Sequence, residues 1–284
     1  MSPGSVAAGE GQNLRGPVLV TGGSGFVGAH LVAQLLDRGY DVRATVRRLD
    51  DLTKVPPVRA LAAGRPGRLQ LVSADLLQDG SFDEPMAGCT HVFHVASPFL
   101  MPEQITDGAA QVVEPARVGT RTVLDAVDRT PSVQRVVLTS TVGAIFGDYV
   151  DVLEMTDQTL SEAYVNHTST VDNNPYHYAK TLAETMAWER AAAQDRWDLV
   201  TINPGLILGP SLSGASDSGS LFLMDELMGG AFFFGAADFS FTFVDVREVA
   251  AAHIAAAELP TAHGRYILAR PEMVSLLDMG RIIR

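Results

Sequence analysis

The chain has 284 residues, 46% of them hydrophobic, a mean hydropathy of +0.13, a formal charge of −12 and a pI near 4.9. That length suits one large α/β domain, or one domain with a smaller lobe, around a sizeable core. The acidic balance argues against nucleic acid, which calls for a basic groove, and a single cysteine, Cys89, excludes an intrachain disulfide. No Cys/His cluster has metal-ligand spacing and no apolar run reaches the length of a membrane span, so neither a metal nor a membrane is expected, and a reducing cytoplasm is the expected compartment.

Residues 1–16, rich in Gly, Ala and Ser without the apolar stretch of a signal peptide, read as a flexible tail. Pro17 to Thr21 is a short apolar strand. Gly25 to Arg38 has helical spacing, with Val27, Leu31, Leu35 and Leu36 on one side, and Gly39 stops it. Asp41 to Val46 reads as a second strand, Leu49 to Ala63 as a helix, Leu69 to Ser73 as a third strand and His91 to Val95 as a fourth. A long helical region from Glu103 to Asp128 is interrupted by Pro115. Val136 to Thr139 is a fifth strand, Pro175 to Gln194 an Ala-rich helix with Pro at its start, and Leu199 to Ile202 a sixth strand. Strands alternating with helices, and apolar on both faces, predict a doubly wound parallel sheet of the α/β class.

After Asn203 the chain turns to Gly, Ser, Met and Phe, with a late strand over Phe241–Val246, an Ala-rich helix over Arg247–Leu259 and a strand over Arg265–Leu268. The expected division is a nucleotide-binding domain over 17–203, to which 241–259 returns, and a smaller C-terminal substrate lobe over 204–284. The loop 147–175 joins that lobe above the strand ends, where open α/β sheets bind ligands.

Thr21-Gly22-Gly23-Ser24-Gly25-Phe26-Val27-Gly28 joins the first strand to the first helix, and both common glycine frames fit it. Glycines let backbone N–H groups approach a pyrophosphate, and the helix N-terminus adds partial positive charge. Folds of this Rossmann type that bind NAD usually carry Asp or Glu about 20 residues further on, for the ribose 2′-OH. Here the second strand ends in Thr45-Val46-Arg47-Arg48. A guanidinium suits a 2′-phosphate, so NADP(H) is the expected cofactor, although two such arginines also read as ordinary surface charges.

Tyr176 precedes Lys180 by one helical turn in Asn-Pro-Tyr-His-Tyr-Ala-Lys, which puts both side chains on one face. An ammonium beside a phenol is expected to lower its pKa from about 10 toward neutrality, and such a Tyr can pass a proton to a developing alkoxide. Tyr178 points away and has no lysine a turn ahead of it. A Thr139-Ser140-Thr141 run ends the fifth strand.

With these features in this order, the chain resembles the extended short-chain dehydrogenase/reductase superfamily. Val42–Arg47, Val92–Pro98, Asn174–Glu184 and Val244–Arg247 look most like its dihydroflavonol reductase-like group, which includes cinnamoyl-CoA reductases and microbial carbonyl reductases. The resemblance covers roughly residues 17–270. It implies a hydroxyl–Tyr–Lys triad of Thr141, Tyr176 and Lys180, with Ser140 as the alternative hydroxyl and Lys180 also holding the nicotinamide ribose. It further implies cofactor contacts from Gly22, Gly25, Phe26, Val27 and Gly28 to the pyrophosphate, from Arg47 and Lys54 to the 2′-phosphate, and from Asp75 and Leu76 to the adenine. Val95, Ala96, Ser97 and Thr139 would follow at the strand ends, with Pro204 and Ile207 along the nicotinamide. The implied activity is NADPH-dependent reduction of a ketone or aldehyde, reversible as alcohol oxidation, by a monomer or homodimer. A nucleotide-sugar epimerase or dehydratase, or a dinucleotide sensor without chemistry, are the competing readings. Members usually continue beyond the position of Arg284, so the resemblance implies either a minimal lobe or a shortened chain.

Phe222, Met224, Met228, Phe232, Phe233 and Phe234 read equally as an apolar substrate pocket or as the lobe's own core. His91, His94 and Cys89 read as packed core residues, Asp245 with Arg247 as a structural ion pair, and His177 as a neighbour of the substrate.

Overall fold

Strand β1 (Val18–Val20) shows in three residues how the sheet is built. All three are buried; Val18 and Val20 enter the core on one face and Leu19 the core on the other. A strand alternates its side chains, so an all-apolar strand requires cover on both faces. The same holds for β5 (Arg135–Thr139), where Val137 joins one core and Val136 and Leu138 the other. The computed structural model describes residues 14–98, 105–213, 218–230 and 239–283.

The main sheet has seven parallel strands. With β2 (Asp41–Val46), β3 (Arg68–Ser73), β4 (His91–His94), β6 (Asp198–Pro204) and β10 (Gly264–Leu268), the order is β10-β6-β5-β4-β1-β2-β3. The chain runs outward from β1 to β3, then restarts at β4 on the other side of β1. This reversal opens a crevice at the carboxyl ends of β1 and β4. Helices α1 (Phe26–Asp37) and α8 (Val246–Glu258) cover one face through Leu31, Leu35, Ala250 and Ile254. Helices α4 (Glu114–Arg129) and α6 (Pro175–Ala192) cover the other through Val123, Leu124, Val127 and Ala187. Each fully buried Leu or Ile contributes roughly 1.5–3 kcal/mol.

Several element boundaries differ from the sequence expectation. The helix expected over Leu49–Ala63 is confined to α2 (Val55–Ala60), because the Asp51 carboxylate accepts from Thr53 N and Lys54 N and holds the preceding residues in a turn. The region expected to be broken by Pro115 instead passes from a π-type turn over Ala109–Val113 into α4. Pro115 sits in its first turn, where a missing N–H costs nothing, and residues 99–104 lie outside the described chain. The single late strand becomes two. β8 (Ser240–Phe241) pairs antiparallel with β11 (Val274–Ser275), while β9 (Phe243–Asp245) pairs parallel with β7 (Leu206–Leu208). β10, expected with the substrate lobe, is the edge strand of the main sheet beside β6. The one-turn helix α3 (Asp83–Met86) precedes β4, and helices α5 (Tyr149–Leu153), α7 (Gly219–Gly229) and α9 (Leu276–Ile283) accompany these pieces. Among the described residues no helix is long and apolar enough to cross a membrane.

Candidate active site

The turn from β1 into α1 is shaped by close approach. Gly22 sits at φ +67°, and a Cβ there would lie 3.0 Å from that of Ala96. A Cβ on Gly28 would lie 2.2 Å from the Gly22 carbonyl oxygen, closer than real atoms come. Gly25 is the N-cap of α1, with no side-chain cap and no acidic residue in the first turn. The helix therefore offers its N–H groups and positive dipole end to an anion. Phe26 and Val27 bury their side chains with Val244, Val246 and Val249, so they face this cradle through the backbone. The Thr21 hydroxyl accepts from Val95 N at 3.0 Å and Ala96 N at 2.9 Å, which pins the end of β4, with Ser97, beside the cradle. Its own proton then goes to His94 Nδ1 at 3.1 Å. His94 is buried and its pKa is pushed down to about 3 by that burial, with the charge of Lys180 adding to it.

Beyond β2 the two arginines differ. Arg48 is fixed to Asp50 by two 3.0 Å bonds. Arg47 is exposed, and its guanidinium has no hydrogen bond or ion pair among the described residues. Lys54 lies half-buried at the start of α2. After β3, Asp75 accepts from Leu77 N at 2.9 Å, and Leu76 packs against Gly119 of α4. The glycine cradle, the Arg47 guanidinium and the Lys54 ammonium are a donor set that fits a dinucleotide with a 2′-phosphate.

Helix α6 supplies the reactive pair. Asn174 caps it by accepting from His177 N at 3.2 Å, and Pro175 opens the first turn. Tyr176 and Lys180 follow on this rigid start. Lys180 Nζ donates to the Thr139 carbonyl at 2.9 Å, and the cleft it faces is lined by His94, Ala96, Ser97, Thr139 and Ser140. Burial pushes the ammonium down to about 8. The Tyr176 phenol is pushed up, to about 12, by burial. The expected lowering by Lys180 is therefore corrected: desolvation outweighs any stabilisation of the phenolate. Since 36% of Tyr176 is exposed, solvent on that side moderates the rise.

The hydroxyls at the end of β5 divide their tasks. Thr139 donates to His253 Nε2 at 2.7 Å, because His253 Nδ1 is held as donor to the Val249 carbonyl at 2.7 Å; Thr139 meets the cleft through its carbonyl. Ser140 is buried and donates to Glu184. Thr141 is half-buried, and its hydroxyl accepts from Gly143 N at 3.2 Å, leaving its proton for another acceptor. His177 packs over Gly143 with a buried, unpartnered Nδ1, and its ring lies 5.9 Å from that of Tyr176. Pro204 ends β6, while Ile207 in β7 packs into the cluster of Phe26 and Val244.

The sequence reading assigned no role to Glu184, Asn203, Arg265 or His253. For Glu184 a signal was present in its spacing of one turn from Lys180. Cys89 is buried with its thiol pushed up to about 11 by burial, and Asp245 pairs with Arg247 at 2.5 Å while capping α8. On α7, Phe222 and Met228 are exposed and Met224 is half-buried; Phe232, Phe233 and Phe234 lie outside the described residues.

Residues 18–269 match the NAD dependent epimerase/dehydratase family. Cinnamoyl-CoA reductase CAD2 of Medicago truncatula is 38% identical over 274 residues, covering 96% of this chain and 81% of the relative. Cinnamoyl-CoA reductase 1 of Petunia hybrida is 40% identical over 268 residues, covering 94% and 75%. Among solved structures, Gre2 of Candida albicans in complex with NADPH superposes with a TM-score of 0.78 at 28% identity, over 94% of this chain and 81% of that one. The chain belongs to the epimerase/dehydratase family, the extended short-chain dehydrogenases/reductases, within its dihydroflavonol reductase-like group.

Proposed function

We propose that this family member is an NADPH-dependent reductase that transfers hydride to the carbonyl carbon of a ketone or aldehyde, in reverse an alcohol dehydrogenase, with aryl or otherwise hydrophobic carbonyl compounds as substrates. The observation that carries the reading is that Lys180, one turn beyond Tyr176 on α6, donates to the Thr139 carbonyl at the carboxyl end of β5 and lines one cleft with Ala96 and Ser97, the strand end that Thr21 holds beside the glycine cradle. The reductase relatives and the NADPH bound to Gre2 support it. NADPH, when bound, supplies the hydride.

In this reading the backbone of Gly22, Gly25, Phe26, Val27 and Gly28 takes the pyrophosphate, and Arg47 with Lys54 takes the 2′-phosphate. Asp75 and Leu76 border the adenine, Val95, Ala96, Ser97 and Thr139 the ribose and phosphates, and Pro204 and Ile207 the nicotinamide. Thr141 donates to the carbonyl oxygen and stabilises its growing charge. Ser140 does not compete for this role, since its proton goes to Glu184. Tyr176 then gives its proton to that oxygen. A phenol pushed upward is fully protonated at neutral pH, and an alkoxide is more basic still, so the transfer runs downhill. Oxidation needs the phenolate and is favoured at high pH. The elements after Pro204 that lie outside the main sheet and its α8 cover, namely β7, α7, β8, β9, β11 and α9, form the substrate lobe with residues 147–175, and the apolar side chains of α7 favour aryl or alkyl ketones over sugars.

The test is NADPH consumption with a panel of aryl and alkyl ketones and aldehydes, with nucleotide sugars and NAD as the control arm. Turnover of the carbonyl compounds is expected. Turnover of the sugars alone favours an epimerase or dehydratase, and tight NADPH binding without any turnover favours a sensor.

A further inference from the structure

A carboxylate outside the triad lies at the centre of the strand ends. Glu184 is one helical turn beyond Lys180 on α6 and is 4% exposed. Three strands send donors to it. Ser140 Oγ comes from the end of β5, Asn203 Nδ2 from β6 at 2.9 Å, and Arg265 Nε from β10 at 2.6 Å. Asn203 Nδ2 also donates to the Thr141 carbonyl at 3.0 Å. Arg265 reaches on to the carbonyls of Glu162, Tyr164 and Ala144, so the segment after Thr141 and the loop before α6 hang on the same ion pair. A structural ion pair alone would not need to face the reactive cleft, yet Glu184 and Lys180 line it together.

We propose that Glu184 is a positioning residue of the reductase site, fixing the Thr141 backbone through Asn203 and standing one helical turn from Lys180 as its counter-charge. The inference rests on the proposed reductase reading for its meaning in turnover, but not for its measurement. The charged and titratable groups around Lys180 are Tyr176 and Glu184 on its own helix and His94 on β4, with Arg265 on β10 acting through Glu184. Glu184 opposes the burial that pulls the Lys180 ammonium down.

The chain has two lysines, Lys54 and Lys180, so a protein labelled with 13C at lysine Cε gives two titrating signals, assigned by Lys180→Arg. Without substrate, Glu184→Gln lowers the Lys180 midpoint by about one pH unit, the scale of a lost opposite charge nearby. Arg265→Gln, which removes the cation competing for the same carboxylate, raises it. A merely structural role gives no such opposite pair. In turnover with NADPH, Glu184→Gln lowers kcat about tenfold or more while the nucleotide KM changes less than about twofold. A Lys180 midpoint unmoved in Glu184→Gln, or moved the same way in both variants, overturns the proposal. Should Glu184→Gln fail to fold, an unmoved midpoint in Arg265→Gln overturns it alone. Carbonyl turnover absent from wild type sinks the reductase reading while the titration still decides the role of Glu184.

Discussion

The Ser140 hydroxyl donates to the Glu184 carboxylate, while its neighbour Thr141 uses its hydroxyl oxygen only to accept from Gly143 N. Two adjacent hydroxyls of similar chemistry are thus separated by partner. Thr141→Val is expected to lower kcat about 10²–10³-fold, the scale of one lost donor to a developing oxyanion. Ser140→Ala is expected to reduce stability by about 1–3 kcal/mol, as a buried acceptor loses a donor, with a much smaller change in kcat. Denaturant melts and steady-state rates on both variants check this, and the reverse pattern assigns the active hydroxyl to Ser140.

The cradle makes a steric prediction. Gly28→Ala places a methyl 2.2 Å from the Gly22 carbonyl oxygen, against backbone that has no side-chain freedom to yield. The turn must open, and NADPH affinity is expected to fall at least about tenfold. Titration of nucleotide binding by fluorescence checks it; unchanged affinity would place the pyrophosphate elsewhere.

At the second strand end, Arg47→Ala is expected to weaken NADPH binding by about 10–100-fold and to leave NADH nearly unchanged, since a charge-assisted bond to phosphate is worth roughly 1.5–3 kcal/mol. Arg48→Ala, whose guanidinium is held by Asp50, is expected to change either affinity far less. Equal losses on both nucleotides would sink the assignment of Arg47.

Three of the buried histidines, His91, His94 and His253, set a pH limit. Burial pushes His91 and His253 down to about 4 and His94 to about 3. The unfolded chain binds these protons near pH 6.5, so the stability that neutral histidines contribute is present above about 6.5 and is lost as pH falls toward about 4. Each contributes up to about 1.4 kcal/mol per pH unit in that window. Denaturant midpoints taken from about pH 7 down to about pH 5 should fall steadily; a flat profile contradicts the burial of these rings in their neutral form.

The parts legible in the sequence are those fixed by local pattern. Val18-Leu19-Val20 and Val136-Val137-Leu138 declare a doubly covered sheet, the spacing of Gly22, Gly25 and Gly28 declares the turn, and Tyr176 with Lys180 declares a shared helix face. What escaped depends on contacts distant in sequence or on solvent. Arg265 meets Glu184 across 81 positions. Asp51 shortens a helix whose composition alone permits more, and β10 joins the main sheet by pairing with β6. The phenol of Tyr176 moves up where the neighbouring ammonium suggested down, because sequence shows the neighbour and not the burial.

The central claim is that the Tyr176 hydroxyl delivers the proton that completes carbonyl reduction. Tyr176→Phe removes only that hydroxyl from a residue 36% exposed, so the fold and the cradle remain. Single-turnover NADPH oxidation with a saturating aryl ketone is expected to slow by about 10²–10⁴-fold in Tyr176→Phe while NADPH affinity stays within a few-fold of wild type. A slowing of less than about tenfold, with the nucleotide still bound, contradicts the account.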